Sequence, residues 1–255
     1  MSYDFTFAGI ELSSLHGVTT ERPPREVAEY DFELVDIPGR SGSEYIDNKR
    51  YKNVPMTRKI GLIQRPATAQ DTIVESLIEW LAYSQGYQEF EDSDHPNMVT
   101  YAVLTNFAEV QTLLRRYHKA TLKFSRVPFW YKKSELEPIS LDLSQLTPRI
   151  NLYNPYKIYS EPIITIHTTE GSPTPVYFRL THNSVTKNYT YPGVSGDVDM
   201  VIDCEEQVLK IVNGGSVTYY NNEIPQSLEQ GWTLFELTDK QRINSVKIAP
   251  RWRCL

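Results

Sequence analysis

Asp92, Asp94 and His95, in the run EDSDHPN, are the closest this chain comes to a set of metal ligands. Two carboxylates and an imidazole within four residues suit a hard or borderline cation. The same residues also suit a solvated turn, in which Asp side chains accept hydrogen bonds from nearby backbone N–H groups, and that is the commoner use of such a run. The five histidines, at positions 16, 95, 118, 167 and 182, show no H-E-x-x-H or H-x-H spacing. GRSGS and GVSGD differ from the G-x-S-x-G of a nucleophile elbow, and neither sits between a strand and a helix. No G-x-G-x-x-G and no phosphate-binding P-loop occurs. The pattern predicts no enzyme, no cofactor and no metal site.

The chemistry that remains is that of contact. VDIPGRSGSEYIDNKRY, residues 35–51, separates two strand-like stretches and reads as a polar loop. A turn between paired strands needs only two to five residues. Gly39 and Gly42 permit positive φ and close backbone approach. Arg40, Glu44 and Asp47 offer charge-assisted hydrogen bonds. Such a loop is either ordered by a neighbouring molecule or mobile at the surface. Just upstream, Glu29, Asp31 and Glu33 alternate with Tyr30, Phe32 and Leu34, so the three carboxylates share one side of a strand. They must meet solvent, or bases such as Arg58, Lys59 or Lys123 on other strands. Trp232, Tyr219 and Tyr220 are aromatics of the kind that stack on sugars, although an aromatic in a sandwich strand more often serves a core or an interface.

The elements that must carry these residues are mostly strands. YDFTFAGI, VAEYDFELVDI and NVPMTRKIGLI alternate apolar with polar residues, and ERPPRE interrupts them, because two prolines do not fit a central strand. Pro55 makes the start of the third strand an edge or a bulge. The period then changes. Ile73, Val74, Leu77, Ile78 and Leu81 fall at helical spacing and Trp80 widens the stripe, with Thr68 or Asp71 as N-cap and Gly86 just past the end. YQEFED, VTYAVLTNF and YHKATLKFSRV return to strand. A proline-rich polar stretch after Lys132 suits a connection and contains one strand, EPISLDL. The last hundred residues give seven short strands, with Asn213-Gly214 as a hairpin turn, and argue for a β-sandwich. The fold class is therefore mainly β with one helix: an α+β domain over residues 1–133 and an all-β sandwich over 134–255.

Bulk properties agree with a folded protein that works by contact. The chain has 255 residues, with 32 acidic and 26 basic side chains, a net charge of −6. No basic cluster is present to grip nucleic acid through its phosphates. Cys204 and Cys254 form neither a C-x-x-C pair nor a disulfide framework, which suits reduced thiols of a protein made in a cytoplasm. No stretch approaches the roughly 20 apolar residues of a membrane span, and the N-terminus has no signal-peptide pattern.

The order of features resembles a known family. A leading F-x-F-x-G is followed by Pro38-Gly39-Arg40-Ser41-Gly42-Ser43, then Trp80-Leu81 at a helix end, Phe90-Glu91-Asp92 on a strand, and Phe124, Pro128, Phe129 and Tyr131 at the close. This is similar to the N-terminal domain of the distal tail proteins, often called Dit, of long-tailed, non-contractile bacteriophages. Ser41 stands where that family carries Asp. The second half is similar to the family's galectin-like domain, through Asn151, SEPIITI and LEQGWTLFEL, with Thr233 where Asn is common. His182-Asn183 and Trp232 lack the Arg and the spacing of a lectin motif, so the fold name implies no sugar binding.

The resemblance implies a structural part of the virion. Six copies would form a tail-tube-like ring at the tail tip, docked to the tail tube protein on one face and to a tail-associated hub or fibre protein on the other. The C-terminal domains would point outward and could hold a receptor-binding protein, and DNA would pass only in transit. In such a ring the 35–51 loop is an inter-subunit or partner contact, and Glu29, Asp31 and Glu33 are candidates to face the channel, where acids would repel phosphates. Two other classes compete: a carbohydrate-binding module that attaches to a cell wall as a monomer, and a wall hydrolase built on paired carboxylates. Molar mass in solution separates the ring from both.

Overall fold

The computed structural model describes residues 3–63, 70–106, 111–114, 117–169, 171 and 173–255. The chain divides into two compact units, residues 1–130 with Leu255 and residues 131–254.

In the first unit the strands are β1 (Phe5–Phe7), β2 (Ile10–Glu11), β3 (Gly17–Thr19), β4 (Tyr30–Asp36), β5 (Ser43–Tyr51), β6 (Val54–Ile63), β7 (Gln88–Asp92), β8 (Met98–Leu104), β9 (Gln111–Leu114) and β10 (Tyr117–Arg126). An antiparallel sheet runs β2-β1-β7-β8-β10-β6-β3, with β9 also paired to β10. Its spine is the long pairing of β10 with β6, from Tyr117 opposite Ile63 to Arg126 opposite Val54. Strict alternation makes this possible: every second residue of β10, from His118 to Arg126, is buried. Pro55 sits opposite Ser125 in that pairing, while β3 flanks β6 only from Ile60 to Leu62. Near Pro55 the other side of β6 is therefore an edge, where a missing N–H costs no ladder bond.

The one α-helix among the described residues, α1 (Gln70–Tyr83), lies on the expected residues. Ile73, Leu77, Trp80 and Leu81 are buried, at a spacing of four, three and one, while Ile78 is exposed and stands outside the stripe that sequence periodicity assigned to it. Thr68, one expected cap, lies outside the described residues; Asp71 lies inside the helix. Trp80 ties the helix to the sheet. Its indole N–H donates to the Phe7 carbonyl at 2.8 Å, and its ring lies 6.3 Å from Phe5 and 6.1 Å from Phe7. Phe90 and Phe124 complete this aromatic core. Leu77 has no exposed surface, so Leu77→Ala is expected to cost about 2–5 kcal/mol in chemical denaturation. A cost below about 1 kcal/mol would mean that the site relaxes around the lost methyls.

β11 (Trp130–Lys132) begins at the last residue of the first segment and leads, in the second unit, into β12 (Ile139–Ser140), β13 (Arg149–Asn154), β14 (Ile163–Thr168), β15 (Val176–His182), β16 (Val185–Tyr191), β17 (Val198–Asp203), β18 (Val208–Asn213), β19 (Ser216–Tyr220), β20 (Gly231–Leu237), β21 (Ile243–Ala249) and β22 (Arg253–Cys254). Two sheets stack as a sandwich, one ordered β12-β21-β14-β17-β18-β19 and the other β13-β20-β15-β16. Between them lie Ile164, Ile166, Phe178, Leu180, Met200, Phe235 and Val246. Cys204 belongs to this core, and burial pushes its thiol up to about 12, so it is inert at neutral pH.

Two strands of the sandwich are absent from the sequence reading. β13 was hidden in the proline-rich connection, and EPISLDL supplies only the two residues of β12. β16 is an edge strand with five of seven residues exposed, so no alternation marks it. The β18–β19 turn is shifted by one residue from Asn213-Gly214. Asn213 pairs with Ser216, and the two central residues are Gly214 and Gly215, with φ of 53° and 92°.

Candidate assembly surface

Residues 35–51 are not a loop. Ser43–Tyr51 is a strand of nine residues, paired antiparallel with β4 in a two-stranded sheet of their own. Only residues 37–42 remain as the turn. Gly39 and Gly42 supply its positive φ, 83° and 86°, and an added Cβ at either would meet open space. The need for glycine there is conformational; no neighbouring chain segment crowds either position.

Hydrophobic residues line both faces of this hairpin. Cross-strand pairing puts Leu34 opposite Tyr45 and Phe32 opposite Asp47 on one face, and Glu33 opposite Ile46 and Val35 opposite Glu44 on the other. Phe32 stacks on Tyr45 with ring centroids 5.2 Å apart. Even so Phe32, Leu34, Val35, Ile37, Tyr45 and Ile46 are all exposed, Leu34 at 62%. A lone two-stranded hairpin is marginally stable in water. One with apolar side chains on both faces presents a surface that a partner would cover.

The base of the hairpin is held firmly. Tyr30 and Tyr51 meet edge to face at 5.1 Å, and Tyr51 meets Phe129 at 5.8 Å. The Lys52 N–H donates to the Glu29 carbonyl at 2.8 Å. Arg50 donates to the Asp31 carboxylate at 2.7 Å and Lys52 approaches it at 3.5 Å. The Arg50 hydrogen bond holds Asp31 below the usual carboxylate range. The Tyr30 hydroxyl donates to Asp47 at 2.7 Å, which lowers Asp47 and raises the phenol to about 12. The pairing register slips between Asp31 and Phe32. Such a bulge bends a strand and strengthens its twist.

The expected contact residues all lie on this hairpin. Arg40 pairs with Glu44 four residues on, both well exposed, which is worth little in isolation. Asp47 is committed to Tyr30 and to the Lys49 N–H. Glu29 and Glu33 are exposed, while Asp31 is buried between its two bases. β4, which carries Asp31 and Glu33 with Glu29 just before it, is not hydrogen-bonded into the main sheet of the unit. Two of the three bases suggested for this stripe are employed elsewhere, Arg58 with Glu26 and Asp92 and Lys59 with Glu21; the bases that do meet Asp31 are Arg50 and Lys52.

Asp92 is already engaged by several hydrogen-bond donors, most of them on Oδ1. It accepts from the Tyr3 hydroxyl, from the N–H groups of Asp94 and His95, and from His95 Nδ1, at 2.8 to 3.1 Å. Asp94 is bound by Arg22 at 2.8 Å. Among the described residues no group of three or more His, Cys, Asp or Glu could hold a metal ion. The run is a turn that closes over a buried guanidinium. Arg58 is 1% exposed, bonded to Glu26 at 2.7 Å, and its guanidinium lies 5.5 Å from the centre of the Phe90 ring. Nothing in the spacing of Glu26, Arg58 and Asp92 along the chain announces this ion cluster.

No family model and no curated protein matches the chain. Among solved structures it is similar to SPP1 Dit (gp 19.1), described as a paradigm of the hub adsorption apparatus in Gram-positive-infecting phages. The identity is 16%, the alignment covers 97% of this chain and 98% of that one, and the TM-score is 0.62. Both units therefore take part in a Dit-type fold.

Proposed function

We propose that this chain is a structural protein of the tail tip of a long-tailed, non-contractile phage, a distal tail protein that works by assembly and not by turnover. Its copies form a ring, six to a turn, around a channel for DNA. The ring joins the tail tube protein to a tail-associated hub or fibre protein, and the outer sandwich is available to a receptor-binding protein. The protein is made in the host cytoplasm and resides in the virion.

The observation that carries this reading is the exposed apolar hairpin, β4–β5, on a fold that matches a hub protein from end to end. A ring needs a heterologous contact, one surface of each subunit on a different surface of the next. A projecting hairpin with a rigid base suits that geometry. Glu29 and Glu33 are the acids available to face the channel, since Asp31 is already neutralised. Negative-stain electron microscopy of the purified chain should show rings with six-fold symmetry and a central hole. Compact single particles would count against the ring.

The same hairpin sets a proteolysis result. In limited digestion with trypsin, the first cuts are expected after Arg40, in the turn, or at Lys133, just past the boundary of the two units. Early cleavage at Lys210, inside the sandwich, would mean that the second unit is not stably folded.

A further inference from the structure

The outer face of the sheet β13-β20-β15-β16 is not a plain solvated surface. At one end Trp232 and Tyr153 sit side by side on paired strands, ring centroids 4.9 Å apart and tilted by 42°. Trp232 is 63% exposed and Tyr153 49%. At the other end Tyr177 is exposed beside a cleft of about 320 Å³ that Asn188, Thr190 and Thr238 also line. About six residues of strand, roughly 20 Å, separate the two aromatic ends.

Between them the face is polar. Thr181 and Thr186 share a hydrogen bond of 2.9 Å, Asn151 is exposed, and only half-buried Leu234 interrupts. Glu236 accepts two bonds from Arg179, at 2.8 and 3.0 Å, and lies opposite Arg149. With Glu229 at the Trp232 end and Asp239 lining the cleft at the Tyr177 end, three acids against two arginines leave the face slightly acidic.

We propose that this face binds an extended, neutral oligosaccharide. Exposed aromatic rings stack on the apolar faces of sugar rings, and hydroxyl, amide and paired charged groups between them take the sugar hydroxyls. The track of roughly 20 Å is long enough for several rings of an extended chain. A face with no excess of cations does not suit a polyanion, which needs them unpaired. Nor does the face suit a protein partner, because the aromatics are separated by polar groups and form no contiguous apolar centre. The proposal is independent of the ring.

Trp80, Trp130 and Trp252 are buried, so a ligand on this face changes the emission of Trp232 alone. The full chain would be titrated with glucose and N-acetylglucosamine hexasaccharides, and with heparin as the polyanion. A saturable blue shift with a neutral hexasaccharide is expected. By calorimetry, Tyr153→Ala should weaken the same binding about tenfold or more, Trp232→Ala should abolish it, and Leu146→Ala, at an exposed site off this face, should leave it unchanged. No saturable response to either neutral probe at millimolar concentration would overturn the proposal. So would preference for heparin, or an emission shift produced by raising protein concentration alone, which would put a second copy on the face.

Discussion

Leu34→Glu and Ile46→Glu are each expected to weaken assembly of the ring about 30-fold or more, and together to leave a monomer that melts as the wild type does. The two residues lie on opposite faces of the hairpin, Leu34 across from Tyr45 and Ile46 across from Glu33. Both are exposed in the subunit, so neither change removes a packing contact that stabilises it. Exposed substitutions of this kind usually alter stability by less than about 0.5 kcal/mol. In an interface the same carboxylates would be buried without partners, and losses of about 2 kcal/mol or more per residue are ordinary there. Leu146→Glu is the control: Leu146 is 95% exposed in the other unit and should affect neither property. A parallel fall in melting temperature and assembly would place the role of the hairpin inside the subunit.

Arg58→Ala is expected to destabilise the first unit by about 3–5 kcal/mol, as a shift in the denaturant midpoint. The residue is 1% exposed, with Glu26 at 2.7 Å and Asp92 at 3.8 Å. Removing the guanidinium strands the half-buried Glu26, while Asp92 keeps its other donors, and it also strips the contact with the Phe90 ring. Arg58→Met would keep most of the packing and still lose the charge. Adding Glu26→Gln to that variant should recover part of the loss, because the uncompensated carboxylate is what makes the single change costly. If Arg58→Ala costs less than about 1 kcal/mol, the acids are reached by water in solution and the cluster is not a structural lock.

What the sequence disclosed and what it hid follow the same physics. Alternation and helical periodicity are legible where one side of an element is buried and the other is wet. β10 and α1 meet that condition, and Leu77, Trp80 and Phe124 fall where their spacing puts them. The hairpin does not meet it. β4 still alternates and is legible, but in β5, with solvent on both sides, nothing sorts apolar from polar residues, and SEYIDNKRY carries Tyr45 and Ile46 next to each other on opposite faces. The stretch therefore reads as a loop, although Gly39 and Gly42 do mark its turn. Edge strands such as β16 escape for the same reason. The ion cluster of Glu26, Arg58 and Asp92 is assembled by pairings far apart in the chain, which no local pattern encodes. The aromatic face around Trp232 and Tyr153 depends on the register of β13 with β20, and β13 itself was concealed in a stretch that resembles a linker.

The central claim is that this chain is a ring-forming subunit, and multi-angle light scattering of the purified chain tests it most directly. Across a series of loading concentrations the account predicts a discrete species of six times the 29.5 kDa chain, with dissociation only on dilution. A mass of one chain at every concentration would contradict it.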